Sequence, residues 1–166
     1  MNVYLSFFLM GVLALLQSTL LPQVKVFGVQ PDLVLLAVVA WSLLRGSEEG
    51  MLWALIGGLA LDALSSARLG VNTLPLLLIS FLAGLWQRGL VRQEILIPFL
   101  VIPVASLVYQ SALVALLRLL GWPGTWSDSL QYAILPTTLV NTLLMPAVYV
   151  LMRWVHRRTH YENIEW

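Results

Sequence analysis

The side chain best placed to do chemistry in this sequence is the carboxylate of Asp62, which lies in a long apolar stretch. A carboxylate at the centre of a membrane helix costs about 2.5–3.5 kcal/mol, and less toward the interface, so it needs a partner. Arg68 is the nearest cation along the chain and Asn72 is the nearest amide. A turn between two helices could bring either one close, and Asp62 would then staple that helical hairpin. The functional alternative is that Asp62 binds a proton, an ion or a ligand.

A row of small residues lies beside this acid. Gly50, Ala54, Gly58 and Asp62 recur at intervals of four and so share one helix face, with Gly57 next to them. Small residues let two helix backbones approach closely, because helix association in lipid depends on packing and not on the exclusion of water. This face predicts close packing, either within the chain, which is the simpler interpretation, or against another protein.

The other polar residues are scattered through apolar stretches. Examples are Gln17, Tyr109, Gln110, Thr138 and Asn141. Hydrogen bonds between helices, worth about 0.6–2 kcal/mol each, explain such residues without a binding function.

Residue patterns typical of enzymes are missing from the sequence. It contains no nucleophile elbow, P-loop, zinc-ligand spacing or pair of catalytic carboxylates. It contains no cysteine, and its two histidines, His156 and His160, fall in the C-terminal tail, where we expect them to be solvated. We therefore expect no catalytic site, no metal site and no cofactor.

Composition indicates an integral membrane protein. The 166 residues are 60% hydrophobic and 10% charged, with a mean hydropathy of +0.88, whereas roughly 25% of residues are charged in a soluble domain. A soluble protein of this size could not bury so much apolar surface in one core, but lipid accepts it. The net charge of +1 gives no field that would attract nucleic acid.

Hydropathy divides the chain into about six candidate transmembrane helices, since a span needs about 20 apolar residues. They cover residues 4–21, 29–45, 48–65, 69–90, 95–120 and 130–154, and a short tail follows over 155–166. The second candidate is the weakest, because Leu33 to Leu44 extends only about 18 Å as a helix. A re-entrant segment, with four or five spans in total, is the alternative topology.

The distribution of basic residues predicts the orientation in the membrane. With six spans, one side carries six basic residues: Arg45, Arg88, Arg92, Arg153, Arg157 and Arg158. The other side carries three: Lys25, Arg68 and Arg118. The positive-inside rule then places both termini in the cytoplasm.

Tryptophans add a second indication of the membrane boundary. Trp41, Trp86, Trp122, Trp126 and Trp154 all fall near predicted helix ends, and Trp53 lies near the start of its helix. Such positions are typical of the aromatic belts at both faces of a membrane.

The middle of the chain resembles a known family. The residues that carry the resemblance are Pro31-Asp32-Leu33, Gly57-Gly58-Leu59-Ala60-Leu61-Asp62, Leu69-Gly70-Val71-Asn72 and Ala83-Gly84. Their order and spacing, from about Val29 to Gly84, resemble the rod shape-determining protein MreD family.

The resemblance implies a non-enzymatic subunit of the bacterial cell-elongation machinery in the inner membrane. Members of the family pair with MreC, a single-span protein with a periplasmic coiled coil. They work with the glycosyltransferase RodA, its class B penicillin-binding protein and the MreB filament. The implied fold is similar to that of the substrate-binding subunits of energy-coupling-factor vitamin transporters.

Two functional hypotheses follow from the resemblance and the residues together. In the first, the chain is a scaffold, and a partner helix from MreC packs on one of its grooves. The small residues listed above are candidates for this groove. Asp62 with Arg68 or Asn72 fixes the hairpin. The basic tail residues Arg153, Arg157 and Arg158 would anchor the chain on membrane lipid or dock a cytosolic partner.

The second hypothesis is a small-molecule binding subunit of a transporter. It predicts a polar cavity that opens outward, lined by Asp62, Asn72 and Gln110, and it predicts ATPases as partners. An enzyme acting on lipids within the membrane is a third option, which the missing catalytic residues disfavour.

Overall fold

The computed structural model of the chain describes residues 3–23, 28–65, 68–89, 96–123 and 126–159. The first five helices are α1 (Val3–Thr19), α2 (Leu33–Arg45), α3 (Ser47–Leu64), α4 (Thr73–Gly89) and α5 (Leu96–Leu119). The last helix, α6, is α-helical over Trp126–Ser129, π-helical over Leu130–Ile134 and α-helical over Leu135–Thr159. For this part of the chain, the prediction of an all-helical protein with about six helices is confirmed.

Helix α2 is the centre of the bundle. It contacts each of the other five helices, and every residue from Val34 to Ser42 is buried. Its sequence is apolar on all sides, which fits a helix surrounded either by protein or by lipid, and here the surroundings are protein. Its 13 residues extend about 20 Å. The segment was the weakest candidate span because it is short. Its short length is explained by its position as a core helix enclosed by its neighbours.

The small-residue face of α3 is occupied by the chain's own helices. All four of its small residues are buried: Gly50, Ala54, Gly57 and Gly58. A Cβ atom on Gly57 would lie 2.7 Å from a methyl carbon of Val34 in α2, and one on Gly58 would lie 2.5 Å from Cα of Thr73 in α4. These four residues therefore pack against other helices of the same chain and are not accessible to a helix of another protein.

Close approaches by glycine bring α3 and α4 together at both ends of their hairpin. Gly58 faces the start of α4 at Thr73, and Gly84 of α4 faces the backbone of Ser47 at the start of α3. A side chain at either position would separate the two backbones. The antiparallel hairpin is thus held at two points about one helix length apart.

The start of α4 differs from its prediction. The helix begins at Thr73 and not at Leu69. Residues 69–72 form a turn instead, in which Gly70 has a positive φ of 98°. Hydropathy could not reveal this turn, because the apolar residues Leu69 and Val71 continue the apolar pattern of the helix that follows.

Helix α6 is longer than predicted at both ends. It starts at Trp126 and not at residue 130, and it continues through Thr159, beyond the predicted end at residue 154. The π-helical part lies just before Pro136, whose missing N–H interrupts regular α-helical bonding. Arg157 and Arg158 lie in the last turn, where the helix dipole favours positive charge. Residues 160–166 of the predicted tail lie outside the described residues.

In the described ranges, two helices are long and apolar enough to cross a membrane. They are Pro98–Leu119, with 22 residues, and Trp126–Arg158, with 33 residues, whereas the apolar parts of α1, α2 and α4 are shorter. Large apolar side chains such as Phe8, Leu100 and Leu143 point outward and are about two-thirds exposed or more. Exposed apolar surface of this kind is typical of contact with lipid or protein, so it fits insertion into a membrane.

The tryptophan prediction is wrong for two residues. Trp41 and Trp53 are buried and stack on each other with ring centroids 4.3 Å apart, so neither forms part of an aromatic belt. Trp122, Trp126 and Trp154 are exposed, as a belt requires. The side chain of Trp86 lies outside the described part of the chain.

The end of the bundle near the α2–α3 turn holds a cluster of polar contacts. Arg45 Nε donates to Nδ1 of His156, 2.9 Å away, and its guanidinium forms an ion pair with Glu49 at 3.2 Å. Trp41 Nε1 donates to the other carboxylate oxygen of Glu49. His156 is therefore half-buried against α2, whereas the sequence predicted a solvated side chain. The contact also places Arg45 at the same end as the C-terminal part of α6.

Gly58→Leu should disrupt the α3–α4 hairpin, because its side chain would overlap the backbone at Thr73. Overpacking of this kind costs about 1–3 kcal/mol or more. Gly11→Leu is the matched control, since a Cβ at that position would meet nothing within 4 Å apart from its chain neighbours and the backbone of its own helix. Thermal unfolding of the purified protein in detergent should show a lower midpoint for Gly58→Leu only. Equal midpoints for the two variants would mean that the close approach does not exist.

Candidate functional site

The carboxylate of Asp62 is surrounded by donors from the start of α4. Oδ1 accepts hydrogen bonds from the backbone N–H and the Nδ2 of Asn72, at 2.9 and 3.0 Å. Oδ2 accepts from the backbone N–H of Gly70 at 2.8 Å, the N–H of Thr73 at 3.3 Å and the hydroxyl of Thr73 at 2.6 Å. The side chain at the end of α3 thus caps the N-terminus of α4.

The turn before α4 makes this capping geometry possible. Gly70 adopts a positive φ, a conformation that residues with a Cβ rarely adopt. The turn is closed by a hydrogen bond from Val71 N–H to the carbonyl of Arg68. Successive N–H groups consequently point toward one place, which lies where the α4 dipole favours negative charge. Asp62 supplies that charge while being only 3% exposed.

Of the two predicted partners of Asp62, Asn72 is in contact and Arg68 is an exposed residue that is not among these donors. Neutral donors from the backbone and two side chains hold the carboxylate. A carboxylate has about four lone-pair positions, and the five hydrogen bonds leave none of them free. The arrangement favours the structural role for Asp62 over the binding of a proton, an ion or a ligand.

A second buried acid, Asp32, organises the start of α2. It is the N-cap residue, and its Oδ1 accepts from the N–H of Leu35 at 3.2 Å and from Nε2 of Gln17 at 2.9 Å. The Oε1 of Gln17 in turn accepts from the N–H of Val34 at 2.9 Å. Two side chains therefore satisfy the first N–H groups of α2, which are unpaired in any helix.

Asn141 ties α2 to α5 and α6. Its Oδ1 accepts from the backbone N–H of Asp32 at 2.9 Å, and its Nδ2 donates to the hydroxyl of Ser106 at 3.0 Å. Asn141 and Ser106 are fully buried. The hydrogen-bond role that the sequence indicated for Asn141 is confirmed.

The importance of Asp32 was missed by the sequence analysis. An acid next to a proline and before an apolar run is a common helix start, and nothing along the chain links it to Gln17 or Asn141. These partners are 15 and 109 residues away, so only the tertiary packing reveals the cluster.

A cavity of about 300 Å³ lies between the Asp62 and Asp32 clusters. Its polar wall is formed by Gln17, Ser18, Gln30, Asp32, Asn72, Tyr109 and Gln110. Tyr109 connects the cavity to the first cluster, since its hydroxyl donates to Oδ1 of Asn72 at 3.3 Å. Exposed residues such as Pro22 and Ser65 also line the cavity, so it reaches the surface. Asn72 and Gln110 line it as the second hypothesis predicted, but Asp62 does not.

The basic residues of α6 lie at the opposite end of the bundle. Arg157 and Arg158 are exposed, and the guanidinium of Arg158 lies 4.8 Å from the ring centroid of Trp154. Arg153 is half-buried. These three residues lie at least 12 positions further along α6 than Asn141, which contacts Asp32, and none of them lines the polar cavity.

No group of three or more His, Asp or Glu side chains in the described ranges could hold a metal ion. The two buried acids lie in separate clusters and contact different helices. Their surroundings give each carboxylate neutral donors and no histidine. The side chains of these two clusters can bind another group through hydrogen bonds and through the charge of the carboxylates.

Asp62→Leu should strongly destabilise the protein, because five donors at the start of α4 lose their acceptor. Buried donors left without a partner cost about 1–3 kcal/mol each, so we expect a loss of at least about 3 kcal/mol. Glu48→Leu removes an exposed carboxylate from the same helix and serves as the control. Denaturant or thermal unfolding in detergent measures both. Similar losses of stability for both variants would contradict the capping role.

Comparison with known proteins extends the resemblance seen in the middle of the chain. The sequence model of the family described as rod shape-determining protein MreD matches residues 1–155, which is nearly all of the 166-residue chain. No curated protein and no solved structure matches. The chain therefore belongs to the MreD family of membrane-associated, shape-determining structural proteins, which form part of the bacterial rod-shape system.

Proposed function

We propose that this protein is a non-enzymatic, multi-pass scaffold of the bacterial cell-elongation complex in the inner membrane. It binds MreC and helps to position the peptidoglycan synthases, RodA and its class B penicillin-binding protein, in contact with the MreB system, and so maintains cell shape. The observation that carries this proposal is the match of the MreD family over residues 1–155.

The use of polar groups in the interior supports a scaffold. In the described ranges, no fully buried side-chain nitrogen or oxygen lacks a hydrogen bond. Most of these bonds join one helix to another, as between Asp62 and Thr73 or between Asn141 and Ser106. Polar contacts of this kind fix the relative positions of helices. A fixed bundle suits a protein that holds others in place.

The proposed topology has six spans with both termini in the cytoplasm. Arg45 lies beside His156 near the end of α6, so the basic residues of the α2–α3 turn and of the C-terminal part of α6 share one end. The positive-inside rule assigns that end to the cytoplasm. The cavity and both acidic clusters then face the periplasmic side, where the coiled coil of MreC lies.

The packing of α3 restricts where MreC can bind. Because Gly57 and Gly58 are covered by Val34 and Thr73 of this chain, a partner helix has to use the outward surface of the bundle. That surface carries exposed apolar residues, such as Leu82 of α4 and Val104 of α5. Binding of a single-span helix there would depend on side-chain packing within lipid.

A second candidate function is a small-molecule binding subunit of a transporter. It is favoured by one observation, the polar cavity of about 300 Å³. Sites for small ligands typically occupy about 300–1,000 Å³, so the cavity has the size of the smallest of them. This candidate requires ATPase partners and the movement of a solute.

Co-expression with the MreC protein of the same bacterium tests the scaffold. We expect MreC to stay bound to the tagged chain through affinity purification and size-exclusion chromatography in detergent. An unrelated single-span protein expressed at the same level is the control and should not be retained. A monodisperse, folded chain that never captures MreC would contradict the proposal. Capture of ATPases together with uptake of a solute would favour the second candidate instead.

A further inference from the structure

One oxygen of Asp32 has no partner in the described part of the chain. The hydrogen bonds from Gln17 and Leu35 both go to Oδ1, and Oδ2 receives none. Since no fully buried polar side-chain atom there lacks a partner, Oδ2 must retain accessible surface. Asp32 is only 7% exposed and forms part of the cavity wall. The unpaired oxygen therefore faces the cavity.

The described part of the wall around this oxygen is rich in acceptors. Among the described residues that line the cavity there is no lysine, arginine or histidine, and Asp32 is the one acid. The Ser18 hydroxyl already donates to the carbonyl of Leu15, so the lone pairs of its oxygen face outward as acceptors. Gln110 offers an amide that makes no hydrogen bond in the described structure. A carboxylate in such a place is costly unless a cation pairs with it.

The size of the cavity argues against a bare metal ion. Its volume of about 300 Å³ corresponds to about ten water molecules at ≈ 30 Å³ each. Side chains on opposite walls could not all contact one ion at about 2–2.6 Å, as calcium or magnesium requires. An ammonium group has three donors and a full positive charge, and the molecule that carries it would fill the remaining space.

We propose that this cavity binds a primary ammonium group, with Asp32 as its counter-charge and Ser18 and Gln110 as further hydrogen-bond partners. The ligand is a small aliphatic amine or the amine headgroup of a membrane lipid, since both present the same chemistry. The opening of the cavity beside Pro22 and Ser65, at the ends of α1 and α3, gives access to either source. The proposal is independent of the scaffold function, because capture of MreC does not require a ligand in this cavity.

The test uses the full chain in detergent and in lipid nanodiscs. Ethanolamine is the soluble probe, and ethylene glycol, which has a hydroxyl in place of the ammonium, is its matched control. Nanodiscs of phosphatidylglycerol with and without phosphatidylethanolamine test the lipid source. A ligand that binds only the folded state raises the unfolding midpoint, and we expect a shift of about 2 °C or more for a ligand well above its dissociation constant.

Asp32→Asn removes the charge while keeping a good N-cap residue for α2. We expect it to weaken amine binding by at least about tenfold, since losing a buried charge pair costs more than the 1.4 kcal/mol that a factor of ten represents. Glu48→Gln, which removes an exposed carboxylate outside the cavity, should leave the response unchanged. Gln110→Leu should weaken it as well, and it decides the question if Asp32→Asn does not fold.

The outcomes separate the two sources and can reject both. A shift with ethanolamine but not with ethylene glycol, lost in Asp32→Asn, supports a small amine. A shift only with phosphatidylethanolamine, lost in the same variant, supports a lipid headgroup. The proposal is overturned if neither ligand shifts the unfolding midpoint, or if the shift survives Asp32→Asn. If Asp32→Asn does not fold, a shift that is unchanged in Gln110→Leu overturns the proposal. Failure of this test leaves MreC capture unaffected, so it is distinguishable from failure of the scaffold.

Discussion

The hydrogen bonds between the Asp62 carboxylate and the first N–H groups of α4 determine how the middle of this protein is arranged. An acid buried in an apolar bundle is tolerated only when its charge is matched, and here the backbone of Gly70, Asn72 and Thr73 matches it. This contact fixes the α3–α4 hairpin at one end, where Gly58 allows close approach. Helix α2 then packs against that hairpin and fills the centre of the bundle.

Much of the fold could be predicted from the sequence because apolar periodicity and length define helices well. The first three helices and α5 lie within a few residues of their predicted ranges. The start of α4 was missed because the turn at Gly70 depends on an acid eight residues earlier in the chain. The burial of α2 and the stacking of Trp41 on Trp53 were missed because composition cannot distinguish a helix surrounded by lipid from one surrounded by protein.

The candidate site could be predicted only in part, because some of its contacts join residues that are far apart in the sequence. Asp62 and Asn72 could be paired because a short turn separates them, whereas Asp32 depends on Gln17 and Asn141, which only the packing of α1 and α6 brings close. The two acids have different roles as a result. Both oxygens of Asp62 accept hydrogen bonds and stabilise the fold, while Asp32 has one oxygen that faces a polar cavity. The amine site that we propose depends on this difference between the two acids.

Hydrogen–deuterium exchange of the full chain in detergent tests the central claim most directly, namely that the Asp62 carboxylate binds the N–H groups at the start of α4. If it does, the amides of Gly70, Asn72 and Thr73 should exchange as slowly as those in the middle of α3, although two of them precede the helix. Exchange at these three amides as fast as in an exposed turn would contradict the account.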